Sequence, residues 1–224
     1  MHNWFFLLIS CCAMAQAAPP SRLEIAYEVT RNGLALADIV HRFEHGAGTY
    51  QVTETWRGRG LFALLGHIKR SSRGAVTAQG LQPLEYSDER SGRDTERATF
   101  DWTAKTVTVQ YQGDPKVLPF PPHPHDRLAF FYEFAFNPPR GAEVALDVID
   151  GRGISDQLYS IESGERLKTP AGEFDTVKLV RRKENNERAE LWLAKDRDFL
   201  PVRLLIVGKD GTRLDQVAIR ISSP

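Results

Sequence analysis

The chain has 224 residues, 42% of them hydrophobic, and its 29 Lys and Arg balance its 29 Asp and Glu. That balance, with no Lys/Arg-rich tract, excludes a protein that holds nucleic acid by neutralising phosphates. The apolar content is ample for one packed core and excludes an acidic disordered chain.

At the N-terminus, Trp4 to Ile9 form a short apolar run, and Ala15-Gln16-Ala17 has the small-x-small form of a signal-peptidase site. The run falls far short of the roughly 20 apolar residues a membrane-spanning helix needs. Residues 1–17 therefore read as a secretory leader, and 18–224 as a single exported domain. Both cysteines, Cys11 and Cys12, fall in the leader. The exported part is then free of thiols and must be held by its core. The alternative is a lipoprotein anchored at Cys11, since Leu8-Ile9-Ser10-Cys11 fits the loose pattern before a lipidated cysteine.

From Leu23 onward, apolar residues recur with a period of two rather than about 3.6, as half-buried strands require. Leu23, Ile25, Tyr27 and Val29 share one face, and Asn32-Gly33 follows as a hairpin turn. Leu34 to Phe43 return antiparallel, with a bulge expected near Asp38 where the alternation breaks. Tyr50, Val52 and Trp56 continue the pattern. Gly60 to Gly66 is a compact apolar stretch, either a short helical turn or a loop tip. The preceding Gly58-Arg59-Gly60-Leu61-Phe62-Ala63 has the form of a dinucleotide-binding string but lacks the βαβ context that chemistry needs, so its glycines read as turn residues.

Residues 86–102 form the most charged segment, a hairpin turning at Ser91-Gly92 in which Arg90, Arg93 and Arg97 pair across strands with Asp88, Asp94 and Glu96. Arg90 and Arg93 are also candidates to meet an anionic group. Glu85, Asp88, Glu89, Asp94 and Glu96 are the carboxylates a hydrolase of envelope glycan or lipid would draw on. Val107, Val109 and Tyr111 alternate with polar partners.

Pro119 to His125 is a proline-rich linker, in which His123 and His125 are weak metal candidates, with no third ligand indicated by spacing. Asp126 to Phe136 then reads as one short helix, N-capped by Asp126 and stopped before Pro138. It is apolar nearly all round, which suits a helix buried against a curved sheet. Phe130, Phe131, Phe134 and Phe136 make it the candidate wall of an apolar pocket for a lipid-like ligand. The remaining strands are expected near Glu143–Ile149, Gln157–Glu162, Phe174–Arg182, Arg188–Leu193, Leu200–Val207 and Thr212–Ile221, with Asp210-Gly211 turning the last hairpin. Such spacing suits a meander, barrel or sandwich. The fold expected is mainly β, a single antiparallel curved sheet or partly open barrel with one short aromatic-rich helix. No cofactor signature is present, the mature chain has no cysteine nucleophile, and no G-x-S-x-G elbow occurs.

The order of Asp126-Arg-Leu-Ala-Phe-Phe-Tyr-Glu-Phe-Ala-Phe136, Thr169-Pro-Ala-Gly-Glu-Phe-Asp-Thr-Val-Lys-Leu179 and Glu190-Leu-Trp-Leu-Ala-Lys-Asp-Arg-Asp-Phe-Leu-Pro-Val-Arg-Leu204 resembles the exported bacterial family catalogued as domain of unknown function 3108. The resemblance runs from about Ile25 to Ile219. It implies a periplasmic β-rich protein and brings no catalytic residues. A fainter likeness, in Leu191-Trp192-Leu193, Leu200 to Leu204 and Asp210-Gly211, is to the half-barrels of LolA/LolB-type lipoprotein carriers. That likeness is at the level of fold, which does not fix function. The expected activity is non-catalytic binding of a lipid-like or amphipathic ligand, or of a cell-envelope partner, with envelope hydrolase as the alternative.

Overall fold

The computed structural model describes residues 19–183 and 187–223, so residues 1–17, expected from the sequence to be a leader and holding Cys11 and Cys12, lie outside the described part. Period-two patterning yields eight strands in the first half: β1 (Arg22–Arg31), β2 (Leu34–Gly46), β3 (Thr49–Gly58), β4 (His67–Thr77), β5 (Gly80–Arg90), β6 (Glu96–Asp101), β7 (Thr106–Gln110) and β8 (Lys116–Pro119). The second half gives β9 (Pro124–Asp126), the helix α1 (Ala129–Phe136), β10 (Glu143–Asp150), β11 (Gly153–Glu162), β12 (Arg166–Thr169), β13 (Gly172–Arg182), β14 (Arg188–Ala194), β15 (Leu200–Val207) and β16 (Arg213–Ser222).

All sixteen strands join one sheet, in the order 8-7-6-5-4-3-2-1-16-15-14-13-11-10-9, with β12 paired only to β13. β9 and β10 run parallel, and the other pairs are antiparallel. The two terminal strands therefore meet in mid-sheet, Ile25 opposite Ile221. The free edges, β8 and β9, are joined in sequence by the proline-rich segment. The sheet curls strongly but does not close into a barrel.

Asn32 and Gly33 both take positive φ (50° and 82°), the geometry a two-residue hairpin turn requires. The bulge lies earlier than the sequence suggests. Val29 faces Ala37 while Thr30 faces Ala35, so Leu36 is the extra residue and Asp38 stays in register opposite Glu28. The inward series Ala37, Ile39, His41 and Phe43 starts after Leu36. The apolar Leu36 and Val40 share parity with Asp38, which displaces the apparent break. Gly60–Leu65 is a turn of 3-10 helix, with Leu61 and Leu64 84% and 85% exposed.

α1 lies on the concave face against β5, β9 and β15. It begins three residues later than the sequence implies, because Asp126 ends β9 instead. From there its Oδ1 accepts the N–H groups of Leu128 and Ala129 (2.7 and 2.8 Å), satisfying two of the donors a helix start leaves unpaired. Part of the expected linker is thus a strand. Every α1 residue except Phe136 is buried, and Tyr132 stacks on Phe43 with centroids 4.7 Å apart.

Curling brings sheet regions distant in sequence together without a hydrogen-bonded ladder. Ser72 Oγ donates to Asp126 Oδ2 (2.5 Å), Leu81 N–H donates to Glu133 Oε2 (2.8 Å), and Arg152 Nε donates to Glu96 Oε1 (2.8 Å). At Gly151 an added Cβ would stand 2.6 Å from the Arg97 amide nitrogen and 2.7 Å from the Gln110 carbonyl oxygen. A glycine is needed there for the β10–β11 turn to seat against β6 and β7.

Candidate functional site: a groove beside the buried helix

The start of α1 leaves one end of the concave face unfilled. Phe130 and Phe131 form one wall of a groove of about 470 Å³, and Val148, Tyr159, Leu204 and Ile206 from the sheet form much of the rest. A smaller hollow of about 150 Å³ adjoins it, shares Arg127, Phe131, Leu204 and Ile206, and reaches Trp56 and Leu214. The groove falls within the size range of small-molecule sites, roughly 300–1,000 Å³, and its lining mixes apolar and charged side chains. A hollow of about 600 Å³ elsewhere, between Glu44, Arg73 and Leu84, is bordered mostly by exposed residues and has no part of the helix in its wall.

The smaller hollow ends on a buried ionic chain. Glu54 and His41 occupy inward positions on β3 and β2 where the alternation calls for apolar residues, and both are nearly inaccessible. Glu54 Oε2 lies 2.7 Å from His41 Nε2, and Oε1 accepts from Trp56 Nε1 (2.6 Å) and from Arg70 Nη1. His41 Nδ1 lies 3.1 Å from the Tyr132 hydroxyl, tying the chain to α1. Arg70 Nε donates onward to Asp88 Oδ2 (2.8 Å), which also accepts from Arg90 Nη2 (2.6 Å). Burial by itself would raise the Glu54 carboxyl. The His41 hydrogen bond and charge, with Arg70 and Trp56, outweigh it and hold the group at about 2. Asp88 is lowered likewise, burial being outweighed by Arg90 and Arg70.

Asp126 goes the other way. Burial raises it to about 6 against the opposing bonds from Ser72 and the amides of Ala129 and Leu128. His125 is raised, because its bond and charge contact with Glu133 outweigh the lowering effect of burial.

The residues singled out from the sequence are dispersed. Phe130 and Phe131 border the groove, whereas Phe134 is buried in the core and Phe136 packs on Phe43 and His45 toward the other end of the helix. Arg90 pairs with Asp88 on its own strand, not across the hairpin, and Glu96 is taken by Arg152 from the far side of the sheet. Arg93 is exposed at the β5–β6 turn. His125 Nε2 lies 3.6 Å from Glu133 Oε2, and the His123 amide donates to Asp147 Oδ2 (2.8 Å). Among the described residues, no group of three or more His, Cys, Asp or Glu is placed to hold a metal. Of the clustered carboxylates, Glu85 and Glu89 are exposed, while Asp88 and Glu96 are buried and each paired with arginine.

The groove's polar residues, Arg127, Asp150, Arg152, Ser155, Gln157, Arg181 and Lys183, escape a sequence reading because they come from three separate segments. The buried chain did carry a signal: a charge in phase with the apolar positions of consecutive strands, as in Ile39-x-His41-x-Phe43 and Val52-x-Glu54-x-Trp56.

Among solved structures the chain is similar to a β-barrel-like protein of domain of unknown function DUF1849 from Brucella abortus, at 9% identity and a TM-score of 0.59 over 92% of this chain and 99% of that one. At that identity the likeness shows the fold alone. No curated protein matches the sequence. The family model described as "Protein of unknown function (DUF3108)" matches residues 24–216. That match takes in the sheet except the first two residues of β1 and the last six of β16, together with the residues that line the groove, and the chain therefore belongs to the DUF3108 family.

Proposed function

We propose that this chain is an exported, periplasmic, non-catalytic protein that binds a lipid-like or amphipathic ligand in the groove beside α1, with residues 1–17 removed as its leader. The observation that carries the reading is the groove itself, a hollow of about 470 Å³ at the start of the helix where Phe130, Phe131, Leu204 and Ile206 meet charged side chains. The ionic chain beside it supports binding over catalysis. Its carboxylates are held ionised by arginine and histidine, which suits a fixed scaffold better than a group that must give up a proton.

Native mass spectrometry of the protein purified from its own periplasm tests this. The expected spectrum has an adduct of lipid-like mass that organic extraction removes. A bare chain that also takes up no amphipath when offered one would overturn it. N-terminal sequencing of the same material is expected to begin at residue 18, and a fatty-acid label on Cys11 would replace the soluble placement with an anchored one.

A further inference from the structure

The groove is electrically lopsided. Four cations, Arg127, Arg152, Arg181 and Lys183, line it against one acid, Asp150. Three of the four have carboxylate partners: Arg127 with Asp150 (3.4 Å), Arg152 with Glu96 (2.8 Å) and Lys183 with Glu187 (3.4 Å). Arg181 differs. Its Nε is closed off from solvent and has no hydrogen-bond partner, and among the described residues no carboxylate forms an ion pair with it. Its guanidinium carbon lies 6.0 Å from the Tyr159 ring centroid. Tyr159 in turn donates to Gln157 Oε1 (2.8 Å), which fixes that amide at the groove wall with its nitrogen as a further donor.

Arg181 is only partly buried and lines the groove, so it brings there a positive charge that no carboxylate among the described residues neutralises. Arginine's planar fork suits carboxylate and phosphate oxygens in particular. Phe130, Phe131, Leu204 and Ile206, in the same groove, offer apolar surface to a chain.

We propose that Arg181 is an anion seat, and that the groove takes an acyl-chain amphipath headed by a carboxylate or a phosphate. This rests on the amphipath reading above and adds the sign of the head and the residue that reads it.

The test titrates the purified protein, by calorimetry below the micelle concentration, with dodecanoate, dodecyl phosphate, dodecanol and dodecylamine. The wild type is expected to bind at least one of the two anions about tenfold or more tightly than dodecanol, the scale of one charge-assisted hydrogen bond, and dodecylamine more weakly still. Arg181→Gln is expected to erase that preference while leaving dodecanol affinity unchanged, and Arg181→Lys to restore part of it. Whichever anion binds more tightly separates a free fatty acid from a phospholipid-type head.

Equal wild-type affinity for dodecanol and both anions, or a preference that survives Arg181→Gln, overturns the anion seat while the amphipath reading stands. Binding of none of the four overturns both. Should Arg181→Gln fail to fold, the head-group series on the wild type and Arg181→Lys still decides.

Discussion

At the scale of single residues, the buried carboxyls of Glu54 and Asp126 act on stability in opposite directions. Glu54 is lowered from its ordinary 4.5 to about 2, so its stabilising contribution is full above 4.5 and is lost as pH falls toward 2. Glu54→Gln keeps one accepting oxygen but removes the charge that faces Arg70 and His41 and puts an amide N–H₂ in its place, and removing one charge of a buried ion pair costs about 3–5 kcal/mol. Urea unfolding at neutral pH is expected to show that deficit, and repeating it toward pH 2 is expected to narrow the gap. Asp126 is raised from 3.8 to about 6, so the fold favours its neutral form. Its contribution is full below 3.8 and is lost as pH rises through 6, on the order of 3 kcal/mol by linkage. Asp126→Asn keeps the oxygen that accepts the Leu128 and Ala129 amides but cannot ionise. Its unfolding free energy, measured against wild type between pH 4 and 7, is expected to gain on wild type as pH rises; a constant difference would remove burial as the cause.

At the scale of elements, α1 is fixed more by its surroundings than by its own propensity. Eight residues are too few for an isolated helix in water. Tyr132→Phe keeps the ring stacked on Phe43 and deletes only the hydroxyl contact with His41, an expected loss of about 1 kcal/mol. Phe134→Ala empties a fully enclosed site, at about 3–5 kcal/mol in the same urea assay. Helix and strands were legible in the sequence wherever one period held over several residues: the limits of β15 agree residue for residue, and α1 stops at Asn137 before Pro138. Where two periods compete, as at Leu36 and Asp38, the bulge is misplaced by two positions. The site was less legible for a different reason. Phe130 and Phe131 announce themselves by local apolarity, whereas Arg152 and Arg181 reach the groove only through the curl of the sheet. Ion pairing fails in the same way: Glu96 lies next to its hairpin partners in sequence and finds Arg152 in space.

At the scale of the whole molecule, the curl rests on a few contacts at the seam. Gly151→Ala would push a methyl into the β6 backbone, and overpacking of this kind costs about 1–3 kcal/mol. Hydrogen exchange is expected to quicken in β6 and β10 while β14 and β15 keep their protection; uniform loosening would mean that the seam is not a separate unit. The pairing of β1 with β16 closes a contact across nearly the entire chain, which places folding among the slow, non-local β topologies.

A sheet that stops short of closure offers two unpaired borders, and such borders recruit other chains. Here both borders fall on the same stretch of sequence, and that stretch carries Pro119 within β8 and Pro124 within β9, with Pro121 and Pro122 between them. Because proline has no N–H to offer a neighbouring strand, one short tract guards both borders against edge-to-edge aggregation.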